Sequence, residues 1–336
     1  MIIMKPSQTL FQDTVAAADS LAAMIEKEHT IYKRKCSGYL DPLEPAIVTA
    51  DDRMAIVDWC YSVVDHCQFS REAVAVAMDM VDRYLSVPSE TGDEALRDQH
   101  KFQLLSVTAL YVAIKVNEAV AMSSDILAEI THGVYTVEEI EGMELTLLSG
   151  ISWRCNAPNV SQVGLSILSV ISSYTNCSEA TWGFLMDEMK YLTELAVRDY
   201  YFSTQRASTI ALATIFNALG NMRDKERQEL LQASLCILEC FDFDEPKVVL
   251  MVSKKLQQLL EQENHDHDIE GLMDAPEAFK CIELSCSPNS EMRRNLKLCI
   301  SMNMRKFELH REVRQSVDVE ATKIRPTKVF PISMRL

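Results

Sequence analysis

Ten cysteines and seven histidines are the residues of this chain best suited to hold a metal or act as a nucleophile, and their spacing serves neither purpose. No CxxC pair occurs. Cys236 and Cys240, and Cys281 and Cys286, are close in sequence but have no matching His/Cys pair nearby, so the thiols read as free and buried. The histidines are dispersed, with His265 and His267 in an acidic stretch. A phosphate loop and a nucleophile elbow are both missing from the sequence, so no enzyme, metal site or cofactor is expected. The polar residues that stand out end the segment "ALYVAIKVNEAV", Ala109 to Val120. It is apolar nearly all round, then delivers Lys115, Asn117 and Glu118 without a turn signal. Such groups offer charge-assisted hydrogen bonds. Taken alone, a lysine at a helix C-terminus is a favourable dipole contact, and a glutamate on an amphipathic helix is solvated.

The elements that must position these residues are helical. Nine glycines and ten prolines in 336 residues argue against a loop-rich β protein, and alanine, leucine, glutamate and methionine favour helices. An amphipathic helix is expected from about Val15 to Tyr32, followed by a connector with Gly38, Pro42 and Pro45. Thr49 and Asp52 form an N-cap signature before Met54, Val57, Tyr61 and Val64 at helical spacing. A second helix follows Ser70. Val87 to His100 reads as a polar loop, and Lys101 to about Glu118 as a helix surrounded by protein. A short helix spans Ser124 to Thr131. Thr136 and Glu139 cap a fifth, which Gly150 is expected to stop. The plan repeats near 159–173, 178–200, 205–219, 224–240 and 245–262, where "RASTIALATIFNAL" is again apolar nearly all round. The division is therefore 1–50, N-terminal helix and connector; 51–157 and 158–263, two five-helix units; and 264–336, a mostly disordered tail with a helix near 291–315.

The formal charge is −16, and residues 1–263 carry 38 acidic and 21 basic side chains. Such a surface repels phosphate backbones and suits a partner with basic patches, so direct nucleic-acid binding is not expected. The opening "MIIMKPSQTLFQD" lacks an apolar core long enough for a signal peptide, and no uninterrupted apolar run reaches membrane-spanning length. The expectation is a soluble protein of a reducing compartment, nucleus or cytoplasm.

"DDRMAIVDW", "DMVDRYLS", "KFQLLSVTALYVAIKVNE" and "VEEIEGMELTLLSGISW" together resemble the N-terminal cyclin box, in the family's order and at nearly its spacing. "YYFSTQRASTIALATIFNAL" resembles the third helix of the C-terminal cyclin fold. The resemblance implies an all-α chain of two tandem five-helix cyclin folds, each built around its third helix. It also implies a regulatory subunit that binds and activates a cyclin-dependent Ser/Thr kinase and does no chemistry itself. Cyclins press the kinase's mobile helix inward and complete its Lys–Glu ion pair, which phosphoryl transfer requires.

By this resemblance Lys115 and Glu144 are a kinase-binding pair, 29 residues apart as in the family. Val116, Asn117, Glu118, Leu148 and Trp153 match further kinase contacts; the family often has an aromatic where Val116 stands and an acid where Asn117 stands. Arg53 and Asp82 match a structural ion pair between the first two helices. Ile56, Trp59 and Gln103 match a patch that in many cyclins docks Arg-x-Leu motifs of substrates or inhibitors. Asp52 and Ser62 replace that patch's usual methionine and glutamate. Arg227–Leu230 and Arg293–Leu296 fit an Arg-x-x-Leu destruction pattern, and Ser287–Pro288 a proline-directed phosphosite. Two other readings stay open: a non-activating cyclin-like scaffold of a kinase complex, and a transcription-associated cyclin-fold factor.

Overall fold

The computed structural model describes residues 6–33, 38–40, 47–120, 122–222 and 226–266, with side chains from Val15 to Glu263. The described residues are helical, with no strand among them. The expected tail, with Ser287–Pro288, Arg293–Leu296, Cys281, Cys286 and His267, lies outside the described residues.

The first bundle comprises α2 (Ala50–Cys67), α3 (Glu72–Leu85), α4 (Glu90–Arg97), α5 (Gln99–Asn117), α6 (Ser124–Ile130) and α7 (Val137–Gly150). Thr49 and Asp52 close a capping box on α2, and Thr136 and Glu139 close one on α7. Each box satisfies two of the amide donors that a helix start leaves unpaired. Every residue of α5 from Leu104 to Ile114 is buried, because α2, α3, α4 and α7 all pack on it. Ser106 is tolerated there because its hydroxyl donates to the Phe102 carbonyl at 2.9 Å.

The Val87–His100 segment corrects the sequence reading. It is not all loop: Ser89 caps α4 by accepting from the Gly92 amide at 3.0 Å, and Ala95 is buried against the core. Gly92 weakens the helical signal, yet Glu90 and Asp93 in the first turn and Arg97 in the last complement the helix dipole.

The second bundle comprises α8 (Val160–Ser172), α9 (Glu179–Arg198), the single turn α10 (Tyr200–Ser203), α11 (Ala207–Asn221), α12 (Glu226–Cys240) and α13 (Pro246–Asp266). Here α11 is the enclosed element, buried from Ser208 to Leu219. Its Asn217 amide donates to the Ser253 hydroxyl at 2.8 Å and to the Ala213 carbonyl, so the polar group is satisfied inside the bundle. The first helix, α1 (Pro6–His29), starts earlier and ends earlier than Val15–Tyr32. Ala18, Leu21 and Ile25 pack it on the second bundle, not the first. Arg206 makes no side-chain cap for α11; Glu28 of α1 does so instead, accepting from the Ser208 amide at 2.9 Å. Burial raises the Glu28 carboxyl above the usual range although the Ser208 bonds act against it.

Arg53 bolts the two bundles together. It lies 2% exposed on α2 and grips Asp82 of α3 with Nε at 3.1 Å and Nη2 at 2.9 Å. Its remaining nitrogen donates to the Val197 carbonyl of α9 at 2.8 Å. Tyr39 donates its hydroxyl to Asp82 at 2.6 Å and stacks edge-on against Tyr200, whose own hydroxyl accepts from the Leu40 amide. The pair is thus bidentate, hydrogen-bonded on both sides and shut off from water, the arrangement in which losing one partner strands a charge. Asp82→Ala should destabilise the chain by about 3–5 kcal/mol. Urea denaturation followed by circular dichroism checks this, and a loss of less than about 1 kcal/mol would deny the bolt its role.

Candidate functional site

The enclosure of α5 forces its end outward. Ile114 is fully buried, and one residue later Lys115 surfaces with its side chain 37% exposed. Its ammonium nitrogen donates to Glu144 Oε1 of α7 at 2.7 Å and sits 4.6 Å from the centroid of the Tyr111 ring. Desolvation opposes the Lys115 charge, but the Glu144 carboxylate and then Tyr111 more than offset it and raise the lysine pKa. The pair is pre-oriented on two packed helices, with further carboxylate lone pairs and ammonium donor capacity left for another molecule.

Exposed apolar side chains stand beside the pair in the chain and just past the end of α7. Val116 is 49% exposed, Leu145 59% and Trp153 65%. Trp153 is held out by its backbone: Ser152 and Trp153 both have left-handed φ, 57° and 60°. Two such non-glycine residues in succession cost about 1–3 kcal/mol each unless their surroundings impose them. The surroundings do so here. The Trp153 amide donates to the Leu148 carbonyl at 2.7 Å, Arg83 donates to the Arg154 carbonyl at 2.8 Å, and Arg154 donates to the Ile31 carbonyl at 3.2 Å.

Gly150 does not stop α7 as expected. It is the last helical residue and lacks the positive φ of a terminating glycine. Its role is clearance, since a Cβ there would come 2.5 Å from the Tyr84 ring.

The other residues singled out by resemblance fall into different settings. Asn117 turns its amide back to the Ala113 carbonyl at 2.8 Å, and Glu118 accepts from the Ser70 amide at the start of α3 at 2.8 Å. Each polar group thus makes one bond within the chain and keeps its second oxygen or remaining donor free. Leu148 packs against the first core. Leu145 and Ile31, 48% exposed, were not legible as rim residues. Leu145 differs from its neighbours only in lying off the Ile140–Leu147 stripe, and Ile31 reaches the turn through tertiary contacts alone.

Ile56, Trp59 and Gln103 line a separate groove of about 280 Å³ between α2 and α5, together with Val107 and Tyr135. Gln103 accepts from the Tyr135 hydroxyl at 3.3 Å. Asp52, at the groove's edge, is committed to its capping role: it accepts from the Thr49 amide at 2.8 Å and from Gln99 at 3.1 Å. Burial slightly disfavours its charge, but these bonds hold its pKa below the ordinary value. The Arg227–Leu230 pattern lies on α12 with Leu230 buried. Among the described residues no cluster of His, Cys, Asp or Glu could hold a metal, and no helix is long and apolar enough to cross a membrane.

Residues 19–156 match the family model for the cyclin N-terminal domain. Cyclin-A2-1 of Oryza sativa subsp. japonica is 26% identical over 188 residues, covering 56% of this chain and 36% of that protein. The G2/mitotic-specific cyclin-B of Drosophila melanogaster is 29% identical over 209 residues, covering 60% of this chain and 34% of that protein. The matches span less than half to about half the length of the curated relatives. The crystal structure of a viral cyclin from herpesvirus saimiri superposes with a TM-score of 0.50 at 12% identity, over 64% of this chain and 86% of that one, a likeness of fold.

Trp153→Gly should relieve one left-handed residue at little packing cost. Thermal denaturation should show stability unchanged or raised by about 1 kcal/mol; a loss above about 2 kcal/mol would mean that Trp153 is a packing residue.

Proposed function

We propose that the chain, whose residues 19–156 match the cyclin N-terminal domain, binds and activates a cyclin-dependent Ser/Thr protein kinase, in control of the cell cycle. One observation carries this reading: the Lys115–Glu144 pair stands preformed on a rim of exposed Val116, Leu145 and Trp153. An ion pair with one member 37% exposed contributes little to stability, about 0–1 kcal/mol, so the fold does not require it. A partner that covers it changes its worth. Water is excluded, the flanking apolar side chains are buried, and the pair's spare donors and acceptors are satisfied by the partner's backbone.

In this role the chain is an allosteric ligand. It prefers the kinase state whose mobile helix fits the rim, and that difference in affinity drives the kinase into the active arrangement. No group on the rim performs chemistry; the phosphoryl transfer belongs to the kinase, and the chain is its regulatory subunit, acting in the nucleus or cytoplasm. The acidic surplus of the body suits a basic partner surface and speeds encounter.

The test is co-purification with cyclin-dependent kinases followed by a kinase assay. Lys115→Ala combined with Glu144→Ala should abolish co-purification while changing stability by less than about 1 kcal/mol. Unchanged binding by a folded double variant would refute the assignment of the interface. A stable complex without gain of kinase activity would instead establish the scaffold reading.

A further inference from the structure

A second concavity opens on the far side of Leu145. It is a cleft of about 410 Å³ between the entry to α4, with Val87 and Thr91, and the outer face of α7, with Thr146 and Ser149. Tyr84 of α3 closes its base; the residue is 4% exposed, and its ring lies against Gly150. Leu145 lines the cleft too, and it is 59% exposed. With about 100° of rotation per residue, Leu145 stands about 100° round α7 from Glu144, and Ser149 about 40° beyond Leu145. Leu145 is thus the ridge between the Lys115–Glu144 pair and the cleft.

The lining selects the chemistry of an occupant. None of the lining residues is charged, on a chain whose formal charge is −16. Most of their polar atoms are already engaged. The Tyr84 hydroxyl donates to Thr91 Oγ1 at 2.7 Å, Ser89 Oγ accepts from the Gly92 amide at 3.0 Å, and Thr146 donates to the Gly142 carbonyl at 2.9 Å. An apolar side chain therefore enters with little loss of polar solvation and displaces water from Leu145 and the half-buried Val87. The volume lies at the lower end of the range for ligand pockets, about 300–1,000 Å³, which is room for a large side chain. Continuity across one residue names the occupant. A protein that covers Glu144 and passes over Leu145 has reached the cleft.

We propose that the partner seated on the Lys115–Glu144 pair reaches over Leu145 and buries an apolar side chain in the cleft between α4 and α7, so that α4 forms a second wall of the kinase-binding surface. The inference rests on the kinase-binding role proposed above and extends its site. The pair fixes register, and the cleft supplies a pocket for an apolar anchor, the kind of contact that carries most of the energy of an interface. Because it rewards only a partner with an apolar side chain at that place, the cleft also discriminates between kinases that satisfy the pair equally well. The Ser89 cap and the Tyr84–Thr91 bond hold the start of α4 in position for this task.

The experiment measures binding of the full chain to purified cyclin-dependent kinases by biolayer interferometry, with circular dichroism of each variant. Ser149→Trp fills the cleft from α7, and Thr91→Trp fills it from α4. Both positions are exposed, so the variants should keep their helical content. Each should weaken binding of the kinase that the unaltered chain binds best by at least about tenfold. Ser149→Ala leaves the cleft open and should change binding by less than about twofold. Undiminished binding by either folded tryptophan variant would overturn the proposal. So would a loss with Ser149→Ala as large as with Ser149→Trp, which would assign the effect to the hydroxyl and not to the space. The two levels of the account separate cleanly. If no kinase binds the unaltered chain, the kinase-binding role fails and the proposal with it. If a kinase binds, is lost with Lys115→Ala/Glu144→Ala, and ignores both tryptophan variants, only the cleft assignment falls.

Discussion

A helix that is enclosed on every side has no freedom to turn, and that constraint on α5 organises the first bundle. Leu104 to Ile114 leave no solvent-facing stripe, so the helix can neither rotate nor slide without exposing apolar surface. Moving even one buried leucine-sized side chain into water costs about 1.5–3 kcal/mol. The first side chain beyond the enclosure therefore has a fixed address. Lys115 surfaces against α7, where a second helix brings Glu144 to 2.7 Å. The rim owes its precision to the core, although the pair itself adds little to stability.

The same rigidity extends across the two bundles. Arg53 joins α2, α3 and α9 at a site closed to water, while Arg71 reaches from the start of α3 to Glu194 of α9 at 2.8 Å. Arg71 also lies over the Tyr61 ring, 4.4 Å from its centroid. Helix α1 packs on the second bundle, and the segment after it supplies the Ile31 carbonyl to Arg154 beside the first bundle's rim. A partner pressed against Trp153 thus meets a surface backed by both bundles. That fits the proposed role, since a compliant template would transmit less of its binding preference to a partner.

What the sequence revealed follows from which forces are local. The enclosed helices α5 and α11 show as unbroken apolar stretches, and both capping boxes are pairs three residues apart, so pattern alone places them. Helix α4 was missed because its eight residues contain Gly92 and bury little beyond Ala95; its stability comes from packing on α5. Gly150 was misread for a related reason: a glycine at a helix end suggests a backbone requirement, whereas here the Tyr84 ring imposes it from a distant helix. On the rim, Lys115 and Glu144 were legible through family resemblance, not through chemistry. The inward turn of Asn117 and Glu118, the outward strain at Trp153 and the exposure of Leu145 are tertiary outcomes with no sequence period to announce them.

The proposed role depends on where a kinase would touch this chain. Hydrogen–deuterium exchange of the full chain, alone and with a bound cyclin-dependent kinase, reports that directly. The expected result is slowed exchange centred on the end of α5 from Tyr111 to Glu118 and on residues 141–153, with the groove around Gln103 unchanged. Slowed exchange at the groove or on the second bundle, with the Lys115–Glu144 rim exchanging as it does in the free chain, would contradict it.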